Sequence, residues 1–346
     1  MKKLLTAIAV LLLSGISIQT AEAQMTKNID VLPALTSEST AQNRIWVGTF
    51  QIVWNELMDE ILHKPIKFAG YDSIDAKELN KKTFTKSYLN NNAYYVKSDI
   101  VSPDLKTEIE TAIKTKFNET SDILDLFDWS YDPQRLFIYA MLKKDFKFKV
   151  PFDKLPQSTF GKNPTAIDYF GINEDSSRRL YKNVSVMFYN ANNDFAVKLF
   201  TKSKDIVILY RTDEDTTFDN YFKTVNEKSE KYMGSRSFNG DDKLSVPDFN
   251  IDLETNFPDV EKHRIKGTNY EIDQTIETIK FKMDNHGVKL KSEAALMMKC
   301  LALPVERGRN FSYNDNFVLF LIENGKKTPY YAMRVHDAET FNKTSK

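Results

Sequence analysis

The amino-acid sequence predicts an α+β fold, in which helices come first and most of the chain that follows is strand. Apolar residues recur at helical spacing between residues 46 and 61, the pattern of an amphipathic helix. Between residues 276 and 283 apolar and polar residues alternate instead, which is typical of a half-buried strand. Two apolar runs then flank Asn324-Gly325, a strong hairpin signal that predicts positive φ at both residues. Helices followed by runs of strands are characteristic of α+β folds.

Three helices are predicted from periodicity and from their end signals. We expect Asn43 to cap the first, whose apolar stripe is more consistent with a core face than with a cofactor site, and Lys64-Pro65 to end it. Ser102-Pro103 begins the second, because proline suits the first helical position. The third covers residues 216–232. The buried face of the second helix is expected to comprise Leu105, Ile109, Ile113 and Phe117.

The remaining apolar segments have the length and composition of strands. They cover residues 136–141, 183–188, 195–200, 206–210 and 244–251. After residues 276–283, Asp284 to Gly287 interrupts the alternation, which resumes with Val288, Leu290 and Ser292 on one face. No internal repeat or linker divides the chain, so we predict one domain over residues 43–346.

The N-terminus has the features of a targeting segment. Lys2 and Lys3 precede an apolar run, and Ala21-Glu22-Ala23 offers a small-x-small cleavage pattern. A membrane anchor is the alternative, but the run is short and diluted by polar residues, so we predict a signal peptide over residues 1–23, cut between Ala23 and Gln24. The mature protein would then be secreted or periplasmic. Residues 24–42 are polar with scattered prolines, and we expect them to be mobile.

Charge and cysteine content limit the classes of partner. Lysine and arginine together number 48, as do aspartate and glutamate, so the formal net charge is zero. This balance argues against nucleic acid and against an anionic membrane as partners. Cys300 is the only cysteine, so no intramolecular disulfide is possible and stability must come from burial. We expect a monomer.

No catalytic, metal or cofactor motif is recognisable. The four histidines are scattered, and a zinc site would have to assemble in space. Asp213, Asp215, Thr217 and Asp219 alternate like a calcium loop, but Phe218 stands where that loop needs glycine, and helix capping is the simpler account. Cys300 is better interpreted as a small hydrophobe than as a nucleophile. We therefore predict that the protein is not an enzyme.

The order of the C-terminal elements resembles that of the serpins. In that family a sheet strand leads into a hinge, a long exposed reactive loop and a final buried hairpin. Residues 317–322 and 330–335 resemble the closing hairpin, and Gly287 stands where the family has its hinge glycine. Residues 137–152 and 244–251 are similar to two further family segments. The resemblance runs from about Asn43 to Val335.

The resemblance implies that a serine or cysteine protease cuts the reactive loop, which then inserts as a new strand and traps the protease. Counting from Gly287 as the family does places the cut near Leu301 and Ala302. The implied reactive-loop residues are Met298, Lys299, Cys300, Leu301 and Ala302. The implied hinge residues are Gly287, Val288, Leu290, Ser292 and Ala294.

Several alternatives stay open. Val288 and Leu290 are bulky for a hinge, so either they slow insertion or they already lie in the sheet. If residues 300–305 form a strand, the free loop is too short to attract a protease. The functional alternatives to an inhibitor are a non-inhibitory serpin-like binding protein and an unrelated enzyme.

Overall fold

The computed structural model describes residues 29–290 and 308–341 of the 346-residue chain. Within these residues the α+β class is confirmed, because helices pack on several mixed and antiparallel sheets. The α-helices are α1 (Gly48–Glu56), α2 (Ile74–Leu79), α3 (Pro103–Phe117) and α4 (Phe218–Lys231). A π-helical segment, Leu57–Leu62, continues α1 and stops before Lys64-Pro65, as predicted.

The strands form four sheets among the described residues. The seven-stranded sheet contains, from edge to edge, β1 (Ile29–Leu32), β2 (Asn43–Val47), β17 (Tyr331–Val335), β16 (Phe317–Glu323), β10 (Asp205–Arg211), β9 (Asp194–Phe200) and β8 (Val184–Ala191). A four-stranded sheet contains β15 (Asn310–Ser312), β11 (Lys243–Pro247), β7 (Asn163–Ile172) and β6 (Asp153–Phe160). The second four-stranded sheet contains β12 (Phe249–Thr255), β13 (Glu277–Asp284), β14 (Gly287–Leu290) and β5 (Lys144–Lys147). The last sheet pairs β3 (Tyr94–Val101) with β4 (Asp132–Leu142).

The predicted C-terminal hairpin is confirmed as the centre of the seven-stranded sheet. All residues of β16 and β17 are buried, and the two strands pair antiparallel from Phe317↔Val335 to Leu321↔Tyr331. The connecting turn differs from the prediction. Only Gly325 has a positive φ, of 80°, and the Lys326 N–H bonds to the Glu323 carbonyl. The connection is therefore longer than the two-residue turn that Asn-Gly favours.

The predicted start of the first helix is wrong. Asn43 does not cap a helix but begins β2, and Trp46 lies in that strand. Strand β2 contains the β-branched and aromatic residues 45–47, pairs with β17 and is buried throughout. This pairing makes the segment a strand although its apolar residues have helical spacing with those that follow. The Asn43 side-chain oxygen instead accepts hydrogen bonds from the N–H groups of His336 and Asp337, at 2.9 and 3.0 Å.

The expectation of mobility over residues 24–42 is corrected for residues 29–42. Strand β1 pairs in parallel with β2, and Leu32, Ala34 and Leu35 are buried. Burial of these apolar side chains holds the segment in place, although its overall composition is polar. Residues 24–28 lie outside the described residues.

Helix α3 is confirmed with the predicted cap and buried face. The Ser102 hydroxyl accepts a hydrogen bond from the Leu105 N–H at 3.1 Å, and proline follows at the first helical position. The four predicted apolar residues are buried and pack with Tyr139 of β4. In contrast, the predicted strand over residues 244–251 is two strands, because β11 ends at Pro247 and β12 begins at Phe249.

Candidate functional site

The segment that the resemblance predicts to be the hinge lies inside a sheet. Strand β14 pairs antiparallel with β13 on one side and with β5 on the other. Val288 and Leu290 are buried in the main core, while Lys289 between them is exposed. Of the two interpretations left open by the sequence, the structure therefore supports the one in which the bulky hinge residues already lie in the sheet.

Gly287 is required by the close approach of β5. A Cβ atom built on Gly287 would lie 2.2 Å from the Phe146 carbonyl oxygen and 2.7 Å from the Lys147 Cα. Both are backbone atoms, so no side-chain rotation could relieve the clash. The turn before Gly287 is also held by backbone hydrogen bonds. The Asn285 carbonyl accepts one from the N–H group of residue 152 at 2.8 Å, and the His286 carbonyl accepts one from the N–H group of residue 148 at 2.9 Å.

A gap that we call the slot opens below β14, between β4 and β13. β13 pairs with β14 only over residues 282–284, and among the described residues β4 pairs with β3 alone. A cavity of about 760 Å³ occupies this space, with Leu290 among the residues that line it. Helix α1 contributes Phe50, Val53 and Trp54 to its lining. The slot thus lies between β4, which pairs only with β3, and residues 277–281 of β13, which pair only with β12 among the described strands.

Glu277 is a buried carboxyl in the slot. It begins β13 and lies on the same face as Ile279 and Phe281, which also point inward. Its Oε1 atom accepts a hydrogen bond from the Phe50 N–H in the first turn of α1, at 3.2 Å. Among the described residues Oε2 has no hydrogen-bond partner. Burial raises the pKa of Glu277 to about 8, against the opposing effect of the Phe50 N–H.

Because of Glu277, the free energy of unfolding should decrease as the pH rises. Because its folded pKa of about 8 lies above the ordinary 4.5, the folded state binds the proton more tightly, and this stabilisation is complete below pH 4.5 and lost towards pH 8. Between pH 5 and 7, the free energy of unfolding of the wild type should decrease by about 2 kcal/mol relative to that of Glu277→Gln. Urea denaturation at several pH values measures this difference.

The control for this experiment is Glu254→Gln on the neighbouring strand β12, where the side chain is exposed. That variant should keep the pH dependence of the wild type. If Glu277→Gln also kept it, the buried carboxyl would not be the group that titrates.

Arg309 holds the chain in place directly after residues 291–307, which lie outside the described residues. The Arg309 guanidinium donates hydrogen bonds to Asp242 at 2.8 Å and to the carbonyls of Ser235 and Ser237, both at 2.6 Å. A Cβ atom on Gly308 would lie 2.2 Å from the Asp241 carbonyl oxygen, so glycine is needed there too. Segment 291–307 therefore begins at one four-stranded sheet and ends at the other.

A buried ionic cluster connects the four-stranded sheet that contains β5 and β14 to the seven-stranded sheet. The Lys144 ammonium lies 2.7 Å from Asp205 Oδ1 and 2.6 Å from Glu323 Oε1. The Tyr330 hydroxyl also donates to Asp205, at 2.9 Å. Lys144 is the β5 partner of Leu290, so the cluster supports the strand with which β14 is paired.

The structure places only part of the predicted site. Gly287, Val288 and Leu290 come together in β14. Ser292 and Ala294 lie outside the described residues, and so do Met298, Lys299, Cys300, Leu301 and Ala302. Sequence reasoning missed Lys144 and Glu277. For Glu277 a signal existed, since the alternation of β13 extended by one step predicts an inward carboxyl.

The carboxylates that mimicked a calcium loop are engaged elsewhere. Asp213 accepts a hydrogen bond from Arg211 at 2.8 Å, Asp215 pairs with Arg44, and Asp219 accepts from Thr217 at 2.6 Å. The described residues contain no group of three or more side chains placed to hold a metal ion. Within the same residues, no helix is long and apolar enough to cross a membrane.

The order of elements around the slot matches the one that the sequence resemblance implied. A sheet strand, β13, leads into β14, which the resemblance predicts to be the hinge, and after segment 291–307 the chain forms the buried hairpin β16–β17. Helix α1 packs against β3 and β4, and α3 packs against Tyr139 of β4.

Several solved structures are similar to this chain at low sequence identity. A highly specific serpin of the insect Tenebrio molitor is 14% identical, with 92% of this chain and 98% of that chain covered and a TM-score of 0.43. Human thyroxine-binding globulin complexed with thyroxine is 10% identical (82% and 94% covered, TM-score 0.43). The mouse protein Z-dependent protease inhibitor is 11% identical (76% and 80% covered, TM-score 0.43). No protein-family model and no curated protein sequence matches the chain.

Proposed function

We propose that this protein is an exported serpin-like inhibitor of a serine or cysteine protease. In this proposal segment 291–307 contains the reactive loop, and the protease cuts it near Leu301 and Ala302. The strand that starts at Gly287 then extends down the slot beside β13. The protein acts by this conformational change and not as an enzyme.

The observation that carries the proposal is the position of β14 directly above the slot. Its two neighbours, β13 and β5, already form ladder hydrogen bonds with it. Directly below, β13 and β4 stand apart around a cavity of about 760 Å³. An extended segment that continues β14 would gain hydrogen bonds to both strand edges and would bury its inward side chains. Such a gain is the driving force that an insertion mechanism needs.

The direct test is a search for a trapped protease. The purified protein is incubated with a panel of serine and cysteine proteases, and the products are separated in denaturing gels. We expect a band that contains both proteins and survives denaturation with at least one protease. If every protease that cuts segment 291–307 is released and the gels show only cleavage fragments, the inhibitor proposal is wrong.

A proline variant separates insertion from simple cleavage. Proline has no N–H group for a strand ladder, so Ala294→Pro should block extension of β14 while leaving the loop cuttable. The trapped complex should disappear and cleavage should continue. Ala294→Ser, which keeps a small side chain and the N–H group, is the matched control and should still trap the protease.

A non-inhibitory binding protein is the second candidate. It is favoured by the burial of Val288 and Leu290, since bulky residues already packed in the core make further movement of the hinge costly. This candidate predicts cleavage without trapping and no gain in melting temperature after cleavage.

Export and assembly state are proposed on the sequence alone. The charged and apolar residues before Gln24 support removal of residues 1–23 during export. N-terminal sequencing of the exported protein should give Gln24 as its first residue. We further propose a monomer, for which light scattering should give a mass near that of one mature chain.

A further inference from the structure

One wall of the slot, which we call its floor, is apolar. Two residues of α1 and four alternate residues of β4 form the floor, and these are Val53, Leu57, Leu136, Ile138, Ala140 and Leu142. Each of the six is only partly buried. Ala140 and Leu142 pack against the main core, whereas Met141 between them packs against the cluster that contains the buried face of α3. The slot therefore leaves interior apolar side chains incompletely covered.

The charged groups that line the slot do not select an ion. Three ion pairs neutralise most of them, and these are Arg135–Asp128, Lys280–Asp122 and Lys262–Asp273. Their side chains are 32–78% exposed, so they lie at the rim. Glu271, also among the described lining residues, is exposed to solvent. Burial raises the pKa of Glu277 to about 8, so its carboxyl is mostly uncharged at pH 7.

The balance of charge and the apolar floor together favour an uncharged ligand. An ion that entered the slot would lose its hydration without gaining a partner of opposite charge, and this loss is costly. A hydrocarbon group would instead bury apolar surface, and its transfer from water is favourable in proportion to the area buried.

The size of the slot favours an organic molecule over water. Its volume of about 760 Å³ lies within the range of pockets that hold drug-sized ligands. Water finds few hydrogen-bond partners beside apolar side chains, and atoms that face an empty space lose their dispersion contacts. An apolar ligand would restore those contacts.

We propose that the slot of the uncleaved protein binds an uncharged lipophilic small molecule, which packs between α1 and the inward residues of β4. This binding needs neither a protease nor cleavage of segment 291–307. It therefore goes beyond the proposed inhibition, and the two can fail separately.

The test compares three fluorescent probes that share one flat aromatic body, on the intact, uncleaved protein at pH 7. They are pyrenemethanol, which is uncharged, pyrenemethylamine, a cation, and pyrenecarboxylate, an anion. Because either ion would have to be desolvated without a partner, the alcohol should bind about tenfold or more tightly than both. A charged probe that binds as tightly as the alcohol would overturn the proposal. No binding of the alcohol up to its solubility limit would also overturn it, and would indicate that another part of the chain fills the slot.

Two substitutions that fill the slot locate the binding. Ala140→Phe adds a ring to the floor from β4 and Val53→Phe adds one from α1, so each should weaken alcohol binding by about tenfold or more. Both rings enter an existing cavity, so the variants should fold, as their melting curves will show. Ala166→Phe on β7, exposed and outside the slot, is the matched control and should change the affinity by less than about threefold. An unchanged affinity in both slot variants, or an equal loss in Ala166→Phe, would contradict the assigned site.

Discussion

Replacing Lys144 with methionine is expected to lower the free energy of unfolding by about 3–5 kcal/mol, because removal of one partner leaves buried charge without compensation. The side chains of Lys144, Asp205 and Glu323 are at least 93% buried, since their exposed fractions are 4%, 7% and 7%. Methionine fills a similar volume, so the loss would come from the two carboxylates facing each other and not from a cavity. Urea denaturation measures the change.

Lys147→Met is the matched control, because Lys147 lies on the same strand and is exposed. It should change stability by no more than about 0.5 kcal/mol. Adding Glu323→Gln to Lys144→Met should recover part of the loss, because one uncompensated charge is removed. Equal effects of Lys144→Met and Lys147→Met would show that the buried cluster contributes nothing to stability.

Replacing Gly287 with alanine is expected to displace β14 from the sheet. The new methyl group would lie 2.2 Å from the Phe146 carbonyl oxygen, a contact that only movement of backbone could relieve. Leaving the sheet exposes Val288 and Leu290, and re-exposing two such side chains costs roughly 3–5 kcal/mol. Hydrogen exchange should show faster exchange at Val288 and Leu290, while β16 keeps its protection.

Gly240→Ala is the control for a glycine without such a constraint. The nearest atom to a Cβ atom there, the Tyr181 hydroxyl oxygen, is 3.9 Å away, so the substitution should be nearly neutral. If Gly287→Ala left both stability and exchange at Val288 unchanged, the hinge would not be held between β13 and β5 as described.

The sequence predicted those elements whose pattern and tertiary environment agree. Strand β13 alternates and is buried on one face, and α3 has both a cap and an apolar stripe. Prediction from the sequence failed where pairing between distant segments decided the secondary structure. Asn43 to Val47 has helical spacing with the residues after it, but pairing with β17 makes it a strand.

The candidate site could be predicted only in its local part. The glycine and the alternation after it predicted Gly287, Val288 and Leu290 as hinge residues, and the structure places all three in β14. The approach of β5 to Gly287, the separation of β4 from β13 and the meeting of Lys144 with Glu323 join residues far apart in the chain. No sequence pattern within a single segment predicts such contacts. The slot and the ionic cluster could therefore be identified only from the three-dimensional structure.

The most direct measurement is the melting temperature of the protein before and after limited proteolysis within residues 291–307, with the cut located by mass spectrometry. If the freed strand extends β14 into the slot, new ladder hydrogen bonds and apolar burial should raise the melting temperature by about 10 °C or more. The Ala294→Pro variant, cut at the same bond, should show no such rise. A wild-type melting temperature that stays the same or falls after cleavage would contradict insertion into the slot.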